Sequence, residues 1–526
     1  VKVSTRLRRL ARQAIASIGR AVGFRQYAGA RVNRLLPNIP PGTDANREIM
    51  SSLPMLRNRS RELVRDDALA SGLIATSVRN LVGTGVHPKP QVRIAPANQS
   101  KGAIDRAAKQ ERELEGILES TWREWAAGDC DAAGLGRPLA TLLSIATHTW
   151  KESGGCLIRL RWRRTSDKLV VPFQLQLLET DYIDMTADYP PDQSGDYWIQ
   201  GVKFNALDRV IAYRLFVQHP GSGWAWAPGS ILYNDVSAND IVYLTSTTRA
   251  GQVHGVPLLT PVIASLIQRQ RFIRSEMTRQ ETMSRMAVVV TPGNDAVNLD
   301  DETIGLQVGT SESPAEAASS GRAPVYESEI PEGGILIARN GKTVTPIIPA
   351  SNSQYDVFCR RTDRDICAGA GVPYELGTGD FSQISYSSYK AGEIQFRESI
   401  RVDQRIWLTP ACLQPIWRRF LLAAELAGKI PAGLDIRVSW HFPAVADTSR
   451  KESIEAKVAA IAGGLSSYSI ELAQDGIDFE DVCRQRCKDD AMLAECGIVP
   501  VLQPGQQPAL DTAEKTTQPV TGSAEP

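Results

Sequence analysis

The chain has 526 residues, 42% of them hydrophobic and 22% charged, with Lys plus Arg and Asp plus Glu balanced at 59 each. That length suffices for several domains. The absence of any apolar run of 18 or more residues excludes a membrane-spanning helix of the usual kind. Charge neutrality argues against a protein that grips nucleic acid through many phosphate contacts, but leaves room for a duplex that passes by. Eight cysteines scattered through so long a chain make no disulfide framework, so a reducing cytosol is the expected compartment. The basic N-terminus has too short an apolar stretch for a secretory leader.

In chain order, residues 1–45 form a basic arm. No acid precedes Asp44, while Arg6, Arg8, Arg9, Arg12, Arg20, Arg25, Arg31 and Arg34 are all cationic. Leu7, Leu10, Ala14, Ile18 and Val22 recur at helical spacing, giving a basic amphipathic helix. The expected reading is a helix docked on the protein itself with a solvated basic face, the alternative being an anionic partner. Residues 46–81 read as helical up to the turn Gly83-Thr84-Gly85, and 104–125 as a second helical stretch. From Cys156 the period changes to two: strands are expected over 156–162, 173–177, 199–204, 210–217 and 241–244, separated by Gly, Pro and Asp turn signals. The fold class is therefore α+β, with antiparallel strands in the body.

After Pro257 a long helix is expected to about residue 286, with Leu259, Val262, Ile263, Leu266 and Ile267 on one stripe. Residues 292–349 are rich in Gly, Pro, Ser and Glu, with a strand-like piece over 334–338. A helix over 353–368 follows, so two helices bracket a small insertion. A Gly/Ser-rich loop over 377–388 leads to a helical region reaching about residue 428, broken at Pro410. The last helices span 450–496, and the Gln-, Pro- and Thr-rich residues after 501 are expected to be disordered.

Catalytic motifs fail. Gly341-Lys342-Thr343 resembles the end of a P-loop, but Leu336 stands where the first glycine must be. Cys483, Cys487 and Cys496 lack a fourth zinc ligand in a compact loop, and buried helical thiols are the expected reading. His87, His148, His219, His254 and His441 are dispersed without an HExxH pattern, and no GxSxG elbow occurs. Asp300-Asp301 and Asp489-Asp490 read as solvated surface. No enzyme, cofactor or metal is expected.

Five groups of motifs, in order, carry a resemblance. They are Arg59-Ser-Arg-Glu-Leu-Val-Arg-Asp-Asp67 with Asn80-Leu-Val-Gly-Thr-Gly85; Leu178-Glu-Thr-Asp181 with Ile199-Gln-Gly-Val-Lys-Phe204 and Ala212-Tyr213; and Arg249-Ala-Gly-Gln252 with Gly255-Val-Pro257. Next come Gly371-Val-Pro-Tyr-Glu-Leu376 with Gly379-Asp-Phe-Ser382, Tyr386-Ser-Ser388 and Phe396-Arg397, and finally Trp440, Pro443, Asp447 and Lys451 before Gly464-Leu-Ser-Ser467. Together, over roughly 45–497, the chain resembles the lambda family of phage portal proteins.

The resemblance implies a portal fold with wing, helical stem, inserted clip and helical crown, assembled as a homododecameric ring at one capsid vertex. The wing would be 46–257, the first stem helix 258–291, the clip 292–349 and the second stem helix 350–372. A tunnel loop over 373–390, a long kinked helix and wing return over 391–449, a crown over 450–500 and a tail over 501–526 complete the division. Implied partners are double-stranded DNA in transit, the terminase large subunit, head-tail adaptor proteins and the major capsid protein, with no membrane; the implied location is the virion, after assembly in the host cytoplasm. The residues placed against DNA are Gly379, Asp380, Phe381, Ser382, Gln383, Ser385, Ser387, Ser388 and Lys390. A mostly neutral, hydroxyl-rich loop touches a sliding duplex without the phosphate pairing that would trap it. Duplex DNA offers no open base faces, so Phe381, Tyr386 and Tyr389 are expected to pack the loop onto a helix or a neighbouring subunit. Two alternatives stand beside this: a DNA-binding structural protein held by the basic arm without ring assembly, and a hydrolase, which would need clustered carboxylates or a nucleophile with a base.

Overall fold

The computed structural model describes residues 43–94, 101–222, 232–285, 288–290, 335–337, 355–443, 450–474 and 479–495. The N-terminal arm, most of 292–349 including Gly341-Lys342-Thr343, Asp300-Asp301, Cys496 and the tail lie outside the described residues.

The stretch expected as one helix over 46–81 is two: α1 Ala45–Asp66 and α2 Ala68–Leu81. The reason is Asp67, which takes an extended conformation and accepts the Ala70 N–H at 2.9 Å, capping α2. Next come β1 His87–Arg93, α3 Lys101–Glu124, which widens into a π-helical turn over Trp125–Asp129, and α4 Leu139–Ser153. Strand β1 was not anticipated, because Pro88 and Pro90 interrupt the strand pattern. It survives in a two-stranded sheet whose other edge is satisfied by α3: Glu115 and Glu111 accept the N–H groups of Val92 and Ile94 at 2.9 and 2.8 Å. Helix α4 ends at Gly154, where φ is +85° and a Cβ would lie 2.5 Å from the Gly255 carbonyl. Only glycine fits this backbone crossing.

Strands β2 Gly155–Trp162 and β3 Phe173–Glu179 are followed by β4 Tyr197–Ile199, β5 Val202–Phe204, β6 Val210–Phe216, β7 Tyr233–Ser237 and β8 Ile241–Thr245. They form two antiparallel sheets, ordered β3-β2-β8 and β4-β5-β6-β7. The single strand expected over 199–204 is folded back on itself at Gln200-Gly201. Helix α5 Ile263–Arg285 starts later than expected, because residues 258–262 are turns. Short strands β9 Val288–Val290 and β10 Ile335–Ile337 pair in parallel.

Helices α6 Tyr355–Ala370, α7 Tyr374–Thr378 and α8 Tyr386–Val402 follow. Arg269 of α5 forms an ion pair with Asp363 of α6, and Phe272 packs on Tyr355 and Phe358 at 5.7 and 4.7 Å. The break expected at Pro410 is absorbed instead. The chain widens into π-helical turns over Asp403–Leu413, which tolerate the missing N–H of proline, and continues as α9 Gln414–Leu426. Lys151 holds Asp403 at 2.6 Å, and the buried Gln404 amide donates to the Leu81 carbonyl at 2.9 Å. Strand β11 Asp435–His441 then returns to β1, and α10 Arg450–Ala462, α11 Tyr468–Gln474 and α12 Phe479–Glu495 end the described chain.

The main core gathers α2, α4, α9 and one face of the β3-β2-β8 sheet around Trp122, Trp125, Phe173, Trp417 and Phe420. A smaller core, including Leu157, Ile183, Tyr213, Leu215 and Val236, lies between that sheet's other face and the four-stranded sheet.

Candidate functional site

The segment from α6 to α8 is built by turn chemistry. Gly371 leaves α6 with φ +71°, and Val372-Pro373 leads into the short α7. Gly377 sits so close to α2 that a Cβ would lie 2.9 Å from Leu73 and 3.0 Å from the Cys367 sulfur. Thr76 adds a hydrogen bond to the Leu376 carbonyl at 3.4 Å. Gly379, with φ +74°, caps α7 by donating its N–H to the Glu375 carbonyl at 2.9 Å. Ser385 opens α8, accepting the Ser388 N–H at 3.3 Å, with its hydroxyl also 2.9 Å from Ser388 Oγ and 3.2 Å from Ser387 Oγ. The expected loop over 377–388 is therefore narrower, with non-helical residues only at 379–385.

Asp380 organises this loop. It accepts the Tyr374 hydroxyl at 2.8 Å, the Ser382 hydroxyl at 2.6 Å and the Ser382 N–H at 3.1 Å, with the Arg360 guanidinium 3.9 Å away. Its own N–H donates to Thr378 Oγ1 at 3.2 Å. These bonds, the Ser382 hydroxyl first, hold its carboxyl down to about 2, so it is ionised throughout the neutral range. Its charge is turned into the loop. Phe381 and Tyr389 meet edge to face at 5.5 Å, bracing the loop on α8, although Phe381 remains half exposed and Tyr386, given the same expectation, is 58% exposed. Lys390 lies 5.9 Å over the Tyr386 ring. Gln383 and Ser387 are exposed.

The fold also assembles a group that the sequence left dispersed. Glu179, Asp181 and His219 offer ligand atoms within 4.8 Å of one another. Two features argue against a metal centre. Arg61 already binds both carboxylates, reaching Glu179 at 3.1 Å and Asp181 at 3.2 and 2.5 Å. The Gly221 N–H donates to His219 Nδ1 at 3.0 Å, so the neutral ring carries its proton on Nε2, the atom facing Glu179, and has no lone pair there for a metal. The expectation for the C-terminal thiols is corrected: Cys483 and Cys487 are exposed on α12, where no described residue covers the face they share. Asp489 and Asp490 are exposed, as expected.

A family model described as phage portal protein, lambda family, matches residues 33–404. The chain belongs to the lambda family of phage portal proteins. Portal protein B of Escherichia phage lambda is 20% identical over 503 residues, covering 88% of each chain. The probable portal protein of Halomonas phage phiHAP-1 is 22% identical, covering 90% of this chain and 87% of its own. Among solved structures, a chain in the virion of a native gene transfer agent particle aligns with 81% of this chain and 93% of its own, at 13% identity and a TM-score of 0.38. As a member of the portal family, the protein has a structural role at the capsid vertex of the virion.

Proposed function

We propose that the chain assembles into a closed ring through which double-stranded DNA enters and leaves the capsid, with the 379–390 segment facing the duplex. The observation that supports this most directly is the chemistry of the α7–α8 loop. Residues 379–390 carry a single cation, Lys390 over the Tyr386 ring, expose Ser382, Gln383 and Ser387, and hold their one carboxylate by internal hydrogen bonds. Such a surface neither pairs with phosphates nor strongly repels them, as sliding requires. Residues 292–349, inserted between α5 and α6, are the proposed docking site for the terminase large subunit and then for head-tail adaptor proteins. The body would face the major capsid protein, and the ring would be dodecameric. No nucleotide site is proposed, so the energy for packaging comes from the partner.

Native mass spectrometry and electron microscopy of the purified protein test ring assembly directly. Closed rings are expected, and monomers at every salt and protein concentration would overturn the reading. Deleting 300–330 should leave ring formation intact and abolish terminase attachment.

A further inference from the structure

Strand β2 reads Arg159, Leu160, Arg161, Trp162, and the alternation continues to Arg163. Alternate residues of a strand share a face, about 6.6–6.8 Å apart. Cys156, Ile158 and Leu160 face the main core, so Arg159 and Arg161 take the opposite face, and Arg163 extends the row. At the other end of this face Leu157 is covered by the smaller core. The arginine end is partly exposed.

What meets these guanidinium groups is neutral. Arg161 donates from Nε to Gln176 Oε1 at 2.9 Å, and Arg163 from Nε to Gln174 Oε1 at 2.6 Å. Arg163 also reaches the Ala132 carbonyl at 3.4 Å. Arg159 makes no side-chain hydrogen bond, and none of the three meets a carboxylate, among the described residues. Partial burial, and then the neighbouring Arg159 and Arg163, lower the pKa of Arg161. Beyond the strand, the following turn carries the exposed Arg164 and Lys168 together with Asp167, whose carboxylate accepts the Arg164 N–H at 3.2 Å. Opposite charges paired across strands stabilise a sheet; a glutamate at 174 or 176 would have neutralised this face. The glutamines fix the Nε side of each fork and leave terminal N–H groups for an external acceptor. Guanidinium forks bind carboxylates two hydrogen bonds at a time.

We propose that this arginine ladder is a docking surface for an extended, acidic protein segment carrying carboxylates at alternate residues. An extended segment repeats its side chains at the same spacing as the ladder. A nucleic-acid backbone fits less well. The sheet stands between the ladder and the main core, and α7, which leads into the DNA-facing loop, packs against that core through Leu73 and Cys367. The ladder therefore faces away from the proposed channel. The preference for a protein segment over a nucleic-acid backbone rests on the channel reading, and the duplex probe below tests it separately.

The test is fluorescence anisotropy at low ionic strength, where screening is weakest, on the full chain. The probes are a labelled peptide of alternating Thr and Glu, a peptide of the same composition with its glutamates in one block, and a short DNA duplex. The alternating peptide should bind tightest. Replacing all three arginines by glutamine should weaken it about tenfold or more. Arg159→Gln alone, which removes no internal hydrogen bond, should weaken it by a smaller factor without changing the thermal midpoint. Gln176→Glu should raise the midpoint and weaken peptide binding together, because it supplies the missing carboxylate from within. Equal affinity of wild type and Arg159→Gln for the alternating peptide would overturn the proposal. So would tighter binding of duplex DNA that the triple variant loses, which would make the ladder a nucleic-acid contact.

Discussion

Two helical regions of this protein dispose of their apolar side chains in opposite ways. Helix α9 buries Ile416, Trp417, Phe420, Ala423 and Ala424 in the tryptophan-rich core. Helix α10 places Ile454 and Val458 one turn apart, yet leaves them 50% and 58% exposed, and Leu465 beyond it is 88% exposed. The body thus completes its own core within one chain, whereas the C-terminal helices present apolar side chains that no other described residue covers. Under the ring proposal, the neighbouring copy would cover these exposed apolar side chains.

The contrast breaks or holds on a pair of truncations. Phe420→Ala should cost about 3–5 kcal/mol of body stability, as expected for a large aromatic removed from a close-packed interior. Val458→Ala should change the stability of an isolated subunit by no more than about 0.5 kcal/mol, while lowering the yield of rings in sedimentation velocity. Denaturant unfolding of both variants gives the answer; equal losses would mean that the C-terminal helices fold as part of the body.

A second effect lies between the two cores. His254 is fully buried, accepts the Tyr243 hydroxyl at Nδ1 at 2.8 Å and donates from Nε2 to the Gln200 carbonyl at 2.9 Å. Burial pushes its pKa down to about 4. In the unfolded chain it titrates near about 6.5, so between these values only the unfolded state binds the proton. The stability contribution is therefore complete above about pH 6.5 and is lost as pH falls to about 4, by about 3 kcal/mol in all. Comparing unfolding free energies of the wild type and His254→Gln from pH 7 to 4 should show this loss in the wild type only.

Smaller effects sharpen the picture at the helix ends. Asp67→Ala should cost about 1–2 kcal/mol by removing the cap of α2. The loss should exceed that of an average cap, because the other Asp67 oxygen accepts the Gln270 amide of α5 at 3.0 Å. Gln383→Lys should leave stability within about 0.5 kcal/mol of wild type, since the exposed side chain has no hydrogen-bonding duty in the loop. Under the channel proposal it should slow packaging, most at low salt, where a new ring of cations meets unscreened phosphates. Packaged DNA length against time at two ionic strengths reads this out. Ser385→Lys is a poorer probe, because it also removes the cap of α8.

Periodicity alone determined the α+β class, most strands of the two antiparallel sheets though neither β7 nor the β4–β5 reversal, the long helices on either side of 292–349, and the hydroxyl-rich stretch around Ser382, because each of these follows from neighbours in sequence. What it could not determine depends on groups far apart in the chain. Strand β1 is hidden by its prolines and exists because β11, more than 300 residues later, pairs with it while Glu111 and Glu115 take its free N–H groups. The proline break at 410 vanishes into π-helical turns pinned by Lys151 and the Leu81 carbonyl. Asp380 looks like a free charge in the sequence and becomes the centre of its loop only once Tyr374 and Ser382 converge on it. Cys483 and Cys487 share a helical face in either view, but whether that face is covered is decided by what packs against it. The arginine ladder shows the same division: alternation puts Arg159, Arg161 and Arg163 on one side of a strand, but only the pairing of β2 with β3 places glutamine rather than a carboxylate opposite them. Local pattern fixes which way a side chain points; the charge and hydrogen bonds it meets there come from elements that only folding brings together.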